Sequence, residues 1–93
     1  MIERNAGRLC VHAAMVMANA PALLEAGRAA FSEPTETLDL AAVNEADSSA
    51  LAVMLAWLRT ASAEGRQLSF INVPAGVQAL ADLYGVDEIL SLA

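Results

Sequence analysis

Asp47, Ser48 and Ser49 are the residues of this chain whose types and spacing are best suited to chemistry. They lie in the stretch NEADSSALAVMLAW, Asn44 to Trp57, where a polar loop gives way to nine residues, Ala50 to Leu58, without a charge. An aspartate followed by two hydroxyls is a helix-start signature, because its carboxylate can accept a hydrogen bond from an otherwise unpaired backbone N–H. The chemistry open to such a start is phosphoryl transfer onto a serine, Ser49 or Ser48, since the free N–H groups and the positive end of the helix dipole stabilise a phosphate. Repulsion works against it. Asp47 is adjacent, the chain already carries a net charge of −6, and a phosphate adds about −1.5 to −2 more. A phosphate here would therefore eject a partner from an apolar contact rather than recruit one. The competing reading is that both serines are simply good helix-start residues.

Other reactive side chains stand alone. His12 has no second histidine and no cysteine at ligand spacing, so no metal site is expected, and a packed or rim histidine is the default. Cys10 alternates with Leu9 and Val11 in an apolar strand, where a buried, inert thiol is the common outcome. Asp39 reads as a strand-end residue, and Glu45 with Asp47 makes an acidic loop without a catalytic partner. Neither GxxxxGK[ST] nor GxGxxG occurs, so no phosphate-loop nucleotide site and no cofactor are expected. Catalysis would need convergent polar groups that the sequence does not offer.

Charge narrows the partners. The chain has five arginines, no lysine and eleven acids. Singly scattered arginines do not make the cationic cluster that nucleic acid needs, and the same balance opposes docking on anionic lipid. A basic protein surface suits it better. The uncharged run of nine residues is under half the length of about 20 that spans a bilayer, so direct membrane insertion is not expected. The opening MIERNAGR lacks the basic start and apolar block of a signal peptide, which points to a cytoplasmic location. A single cysteine fits a reducing compartment.

The elements that must position Asp47 follow from periodicity. Ile2 to Arg4 and Leu9 to Val11 flank a turn-like NAG, giving an opening hairpin in which Gly7 takes positive φ. NAPALLEAGRAAF reads as a helix capped by Asn19, with Pro21 in its first turn and Gly27 allowing a close approach to the sheet. SEPTE, Ser32 to Glu36, reads as a surface turn. TLDLAAV, from Thr37, is a strand with Leu38 and Leu40 on one side. A helix capped by Asp47 runs to about Glu64, where Gly65 stops it. Gln67 to Val73 is a strand, and Pro74 opens a helix with Val77, Leu80, Ala81 and Tyr84 as its core stripe and Gly85 at its end. Val86, Ile89 and Leu90 fold back on the core. One small α/β domain, residues 1 to 93, follows.

At about 100° per residue the central helix places Leu51, Met54, Leu55 and Leu58 on one side as its core stripe. The opposite side holds Ser49, Val53, Ala56, Trp57 and Thr60, with no charge before Glu64. A domain of 93 residues hides only roughly 60 to 65% of its extended surface, which leaves little to cover a second apolar side. An uncharged patch around a tryptophan has the composition of a protein interface. Self-pairing in isolation is expected on the same ground. The competing cover for Trp57 is the chain's own termini.

The run LDLAAVNEADSSALAVMLAWLRTASAEGRQLSFINVPAGVQALADLYGVDEIL, Leu38 to Leu90, resembles the STAS domain family in its order of strand, acidic loop, Asp-Ser at a helix start, strand and final helix. It is most similar to the MlaB-type members, with Leu83, Tyr84, Gly85 and Val86 at the end of the third helix and the Ala/Leu-rich run Ala50 to Leu58. LCVHAAMVMANAPALLEAG resembles their second strand and first helix. The resemblance implies a mixed central sheet with helices packed mainly on one face. It also implies a non-catalytic cytoplasmic subunit that binds and regulates the ATPase subunit of an inner-membrane, phospholipid-transporting ABC complex, peripheral to that membrane through its partner. The contact would use Asp47, Ser48 and Ser49 and the outward residues that follow, Val53, Ala56, Trp57 and Thr60. In the related anti-sigma factor antagonists a serine at the position of Ser49 is phosphorylated, so that role is the alternative. Ala13 and Val16 stand where relatives commonly carry Gly and a polar residue, and the valine weakens the antagonist reading more than the transporter one.

Overall fold

In the computed structural model, which describes residues 1–92, the first turn has two successive residues of positive φ, Ala6 at +54° and Gly7 at +80°. That geometry matches the twist of a two-residue hairpin, and it folds β1 (Ile2–Asn5) antiparallel against β2 (Arg8–Val11). After a single 3-10 turn, Met17–Asn19, come α1 (Ala20–Ala30), β3 (Thr35–Asp39), α2 (Ser49–Ala63), β4 (Gln67–Ile71) and α3 (Ala75–Leu83). β2, β3 and β4 run parallel, in the order β1-β2-β3-β4.

Register separates the two faces of this mixed sheet. Arg4, Leu9, Leu38 and Phe70 form one row across the four strands, and Glu3, Cys10, Asp39 and Ile71 form the next. Successive side chains point to opposite faces. Leu9, Leu38 and Phe70 enter the core with Leu23, Met54, Trp57 and Val77 from the three helices. The other face carries Arg8 paired with Asp39 at 3.2 Å and the Thr37–Ser69 hydroxyl contact. Cys10 stands on that open face and is half-buried, so the expectation of a buried thiol is corrected: alternation sends the residue between two core leucine and valine positions outward.

The central helix is rotated from its expected orientation. Trp57 is fully buried and Val53 nearly so, along with Ala50, Leu51, Met54 and Ala61. Trp57 and Val53 are therefore not outward contact residues, and Ala56 and Thr60 on the same flank are half-buried. The reason is the position of α2 between α1 and α3: the middle helix of one layer is covered by the sheet and by two neighbours. A short chain can provide that cover because α1 comes unusually close. Gly27 makes the approach possible, since a Cβ there would lie 2.1 Å from the indole nitrogen, and the indole N–H donates to the Leu23 carbonyl at 3.1 Å. Gly27 thus serves helix-on-helix packing rather than the helix-on-sheet approach expected. Leu55 and Leu58, expected in the core stripe, are half-buried.

Three other expectations change. Asn19 makes no side-chain cap on α1 and donates instead to the Ala14 carbonyl at 2.8 Å. Tyr84 and Ile89 are largely exposed, while Leu90 is buried. Glu36 belongs to β3 and is buried, not part of a surface turn. Its carboxylate takes hydrogen bonds from Arg4 at 2.8 and 3.1 Å and from the Ser32 and Glu33 amides at 2.8 and 2.9 Å. Those donors, Arg4 foremost, hold its pKa down at about 2.

Candidate partner-binding site

The C-terminal ends of the parallel strands carry the loops that build the site. Beyond β2 and β3 the chain keeps a parallel bridge between Met15 and Ala46. There the Met15 amide donates to the Glu45 carbonyl at 2.9 Å and the Asp47 amide to the Met15 carbonyl at 3.1 Å. Met15 is buried and anchors this extension of the sheet. The two loops therefore leave the sheet as one unit.

Asp47 then ties two segments together through one carboxylate. Oδ2 accepts from the Met17 amide at 3.1 Å, and Oδ1 accepts from the Ser49 amide at 2.8 Å and from the Ser49 hydroxyl. Ser48 already has helical φ and ψ, −63° and −19°, and its side chain makes no capping bond. The capping carboxylate is that of Asp47, as its position before two serines predicted. These donors, the Ser49 hydroxyl first, lower the Asp47 pKa.

Around this hub the surface is presented rather than enclosed. Ser48 is exposed and Ser49 half-buried, and Met17 is 73% exposed. A shallow hollow of about 270 Å³ lies between His12, Ala13, Ala14, Ala42, Asn44 and Glu45. Among the described residues no group of three or more His, Cys, Asp or Glu is placed to hold a metal ion. Asp47, Ser48 and Ser49 thus come together, whereas Val53 and Trp57 lie inside. The part played by the Met17 amide was not legible in the sequence, because a backbone donor leaves no residue-type signal. Glu36 was legible in principle, since it stands at period two with Leu38 and Leu40.

This small layered domain, with a capped helix start displayed at the carboxyl end of a mixed sheet, has the architecture of a STAS domain. It superposes on a sulfate transporter family protein from Wolinella succinogenes with a TM-score of 0.67 at 14% identity, over 87% of this chain and 67% of that one. A second likeness, to the crystal structure of Mglu, has a TM-score of 0.59 at 23% identity and covers 81% of this chain but only 20% of that one. At such identities both likenesses speak for the fold alone. No curated protein matches the chain. The sequence profile described as "Mlab, STAS domain" matches residues 2–91, and the chain belongs to that family.

Proposed function

We propose that the chain is a non-catalytic STAS subunit that binds and regulates the ATPase subunit of an inner-membrane, phospholipid-transporting ABC complex, and reaches that membrane through the ATPase. Membership of the MlaB-type family supports the reading. The observation that carries it is the Asp47 hub, which fixes the Met15–Met17 segment and the start of α2 in one arrangement and leaves Ser48 and Met17 on its outside. A preorganised surface costs little ordering on association. Among the described residues no helix is long and apolar enough to cross a membrane. The contact consists of Asp47, Ser48 and Ser49 with Met17, and no longer includes Trp57.

The test is recovery of the tagged chain from native membranes, followed by mass spectrometry and reconstitution with the ATPase recovered. An ABC ATPase that raises the chain's melting temperature supports the reading, because a partner that binds only the folded state stabilises it. Recovery of a protein kinase that adds one phosphate at Ser49, with no ATPase, would replace it by the anti-sigma antagonist role.

A further inference from the structure

At the far end of α2 from Asp47, an open apolar groove of about 480 Å³ is lined by Leu55, Leu58, Arg59, Ser62, Ala63 and Ile89. Its two lips differ. On one, Leu55 and Leu58 form a half-buried hollow beside Arg59, which alone among the five arginines makes no ion pair among the described residues. On the other, Ile89 projects with 60% of its surface exposed. Next to it stands Glu88, exposed and likewise without an ion pair among the described residues. The helix lip therefore carries an apolar hollow with a positive charge, and the other lip an apolar knob whose exposed chain neighbour is negative. That is the self-complementarity a twofold axis requires, in which residue i meets residue j and j meets i. A small ligand fits the groove less well, because binding sites for such ligands enclose most of the ligand's surface and this one is open.

We propose that two copies of the chain pair through this groove about a twofold axis, with Ile89 of each copy entering the Leu55–Leu58 hollow of the other and Glu88 of each meeting Arg59 of the other. Ten residues of helix, about 15 Å, separate Arg59 from Ser49, so the pairing leaves the start of α2 free. The dimer is weak, since each copy carries a net charge of −6 and long-range repulsion opposes association. This surface replaces the Trp57 flank as the ground for self-pairing.

Sedimentation velocity of the full chain over a wide concentration range tests the pairing. A reversible monomer–dimer equilibrium is expected. Ile89→Asp and Arg59→Glu should each raise the dimer Kd at least about tenfold, the first by removing the knob and the second by turning two attractions into repulsions. The double variant Arg59→Glu with Glu88→Arg should recover most of the loss. All three changes fall on exposed positions, and fluorescence of the buried Trp57 checks that each variant is folded. A chain that is monomeric at every concentration overturns the proposal. So does a dimer whose Kd stays at the wild-type value in both single variants.

Discussion

Glu36 lies near the start of β3 and Asp47 in the loop beyond its carboxyl end, and each gathers donors from segments far apart in sequence. Glu36 accepts four hydrogen bonds, from Arg4 of β1 and from the Ser32 and Glu33 amides, and is 1% exposed. Asp47 accepts three, from Met17 and Ser49, with its neighbour Ser48 in solvent. The chemistry is alike, but the surroundings differ. At the Glu36 end the chain covers its own polar cluster, so the carboxylate works as a staple between β1 and the α1–β3 connection. At the Asp47 end nothing among the described residues closes over the cluster, so the same bonding fixes a surface. Burial, not residue type, separates a cluster that only holds the fold together from one left open on the surface.

The contrast breaks most severely from the sealed side. Trp57→Glu removes an indole that fills the gap above Gly27 and buries a charge with no partner. A loss above about 4 kcal/mol is expected, enough to unfold a domain of this size. Chemical denaturation followed by circular dichroism measures it, and a folded Trp57→Glu variant would show that α1 does not seal this flank. Glu36→Leu comes next. It leaves the Arg4 guanidinium and two amides without their acceptor, for a loss of about 3 kcal/mol in urea unfolding.

The Glu36 staple also sets an acid limit. Its folded pKa of about 2 lies below the ordinary 4.5. The stabilisation is therefore fully present above the ordinary value and is lost as pH falls from there towards about 2. Urea midpoints measured down that range should fall more steeply for the wild-type chain than for Glu36→Gln. Equal slopes would mean that the Arg4 contact does not hold the carboxylate ionised.

Much of this arrangement was legible in the sequence. The hairpin at Gly7, the Asp47 cap, the stop at Gly65 and the inward Leu38 and Leu40 all follow from local rules, and the structure repeats them. The orientation of α2 did not follow. A helix apolar nearly all round has a weak directional signal, so Leu51, Met54, Leu55 and Leu58 read as the stripe, whereas the buried set is Ala50, Leu51, Val53, Met54, Trp57 and Ala61. The deciding residue was Gly27, thirty positions before Trp57, and only the packing of α1 shows that its missing side chain makes room for the indole. Arg4 and Glu36, thirty-two positions apart, are a pair of the same kind: each looks like surface until the sheet register brings them together.

Moving to the open end, the effects shrink in stability and grow in binding. Asp47→Ala removes the acceptor for the Met17 and Ser49 amides, which water reaches easily here, so the melting temperature should fall by only a few degrees. Affinity for the proposed ATPase partner should fall by more than that loss accounts for, because Met17 and the helix start are then no longer held in one arrangement before binding. Asp47→Asn, which keeps an acceptor for the Ser49 amide, should recover part of the affinity. Calorimetric titration of the two variants against the ATPase separates these terms, and equal affinity for wild type and Asp47→Ala would place the contact elsewhere.

The smallest change in stability and the most direct reading of the surface come from the serines. Ser48 is exposed and caps nothing, so Ser48→Ala should alter folding by less than about 0.5 kcal/mol. Ser49 gives its hydroxyl to Asp47, so Ser49→Asp must both break that bond and set a second carboxylate beside the first. On association the added charge also needs desolvation, and like charges in contact cost several kcal/mol. Ser49→Asp should therefore weaken ATPase binding by tenfold or more in the same titration, well beyond Ser48→Ala. If Ser49→Asp binds as tightly as the wild type, the hub faces solvent in the complex, and the two carboxylate clusters differ in burial without differing in purpose.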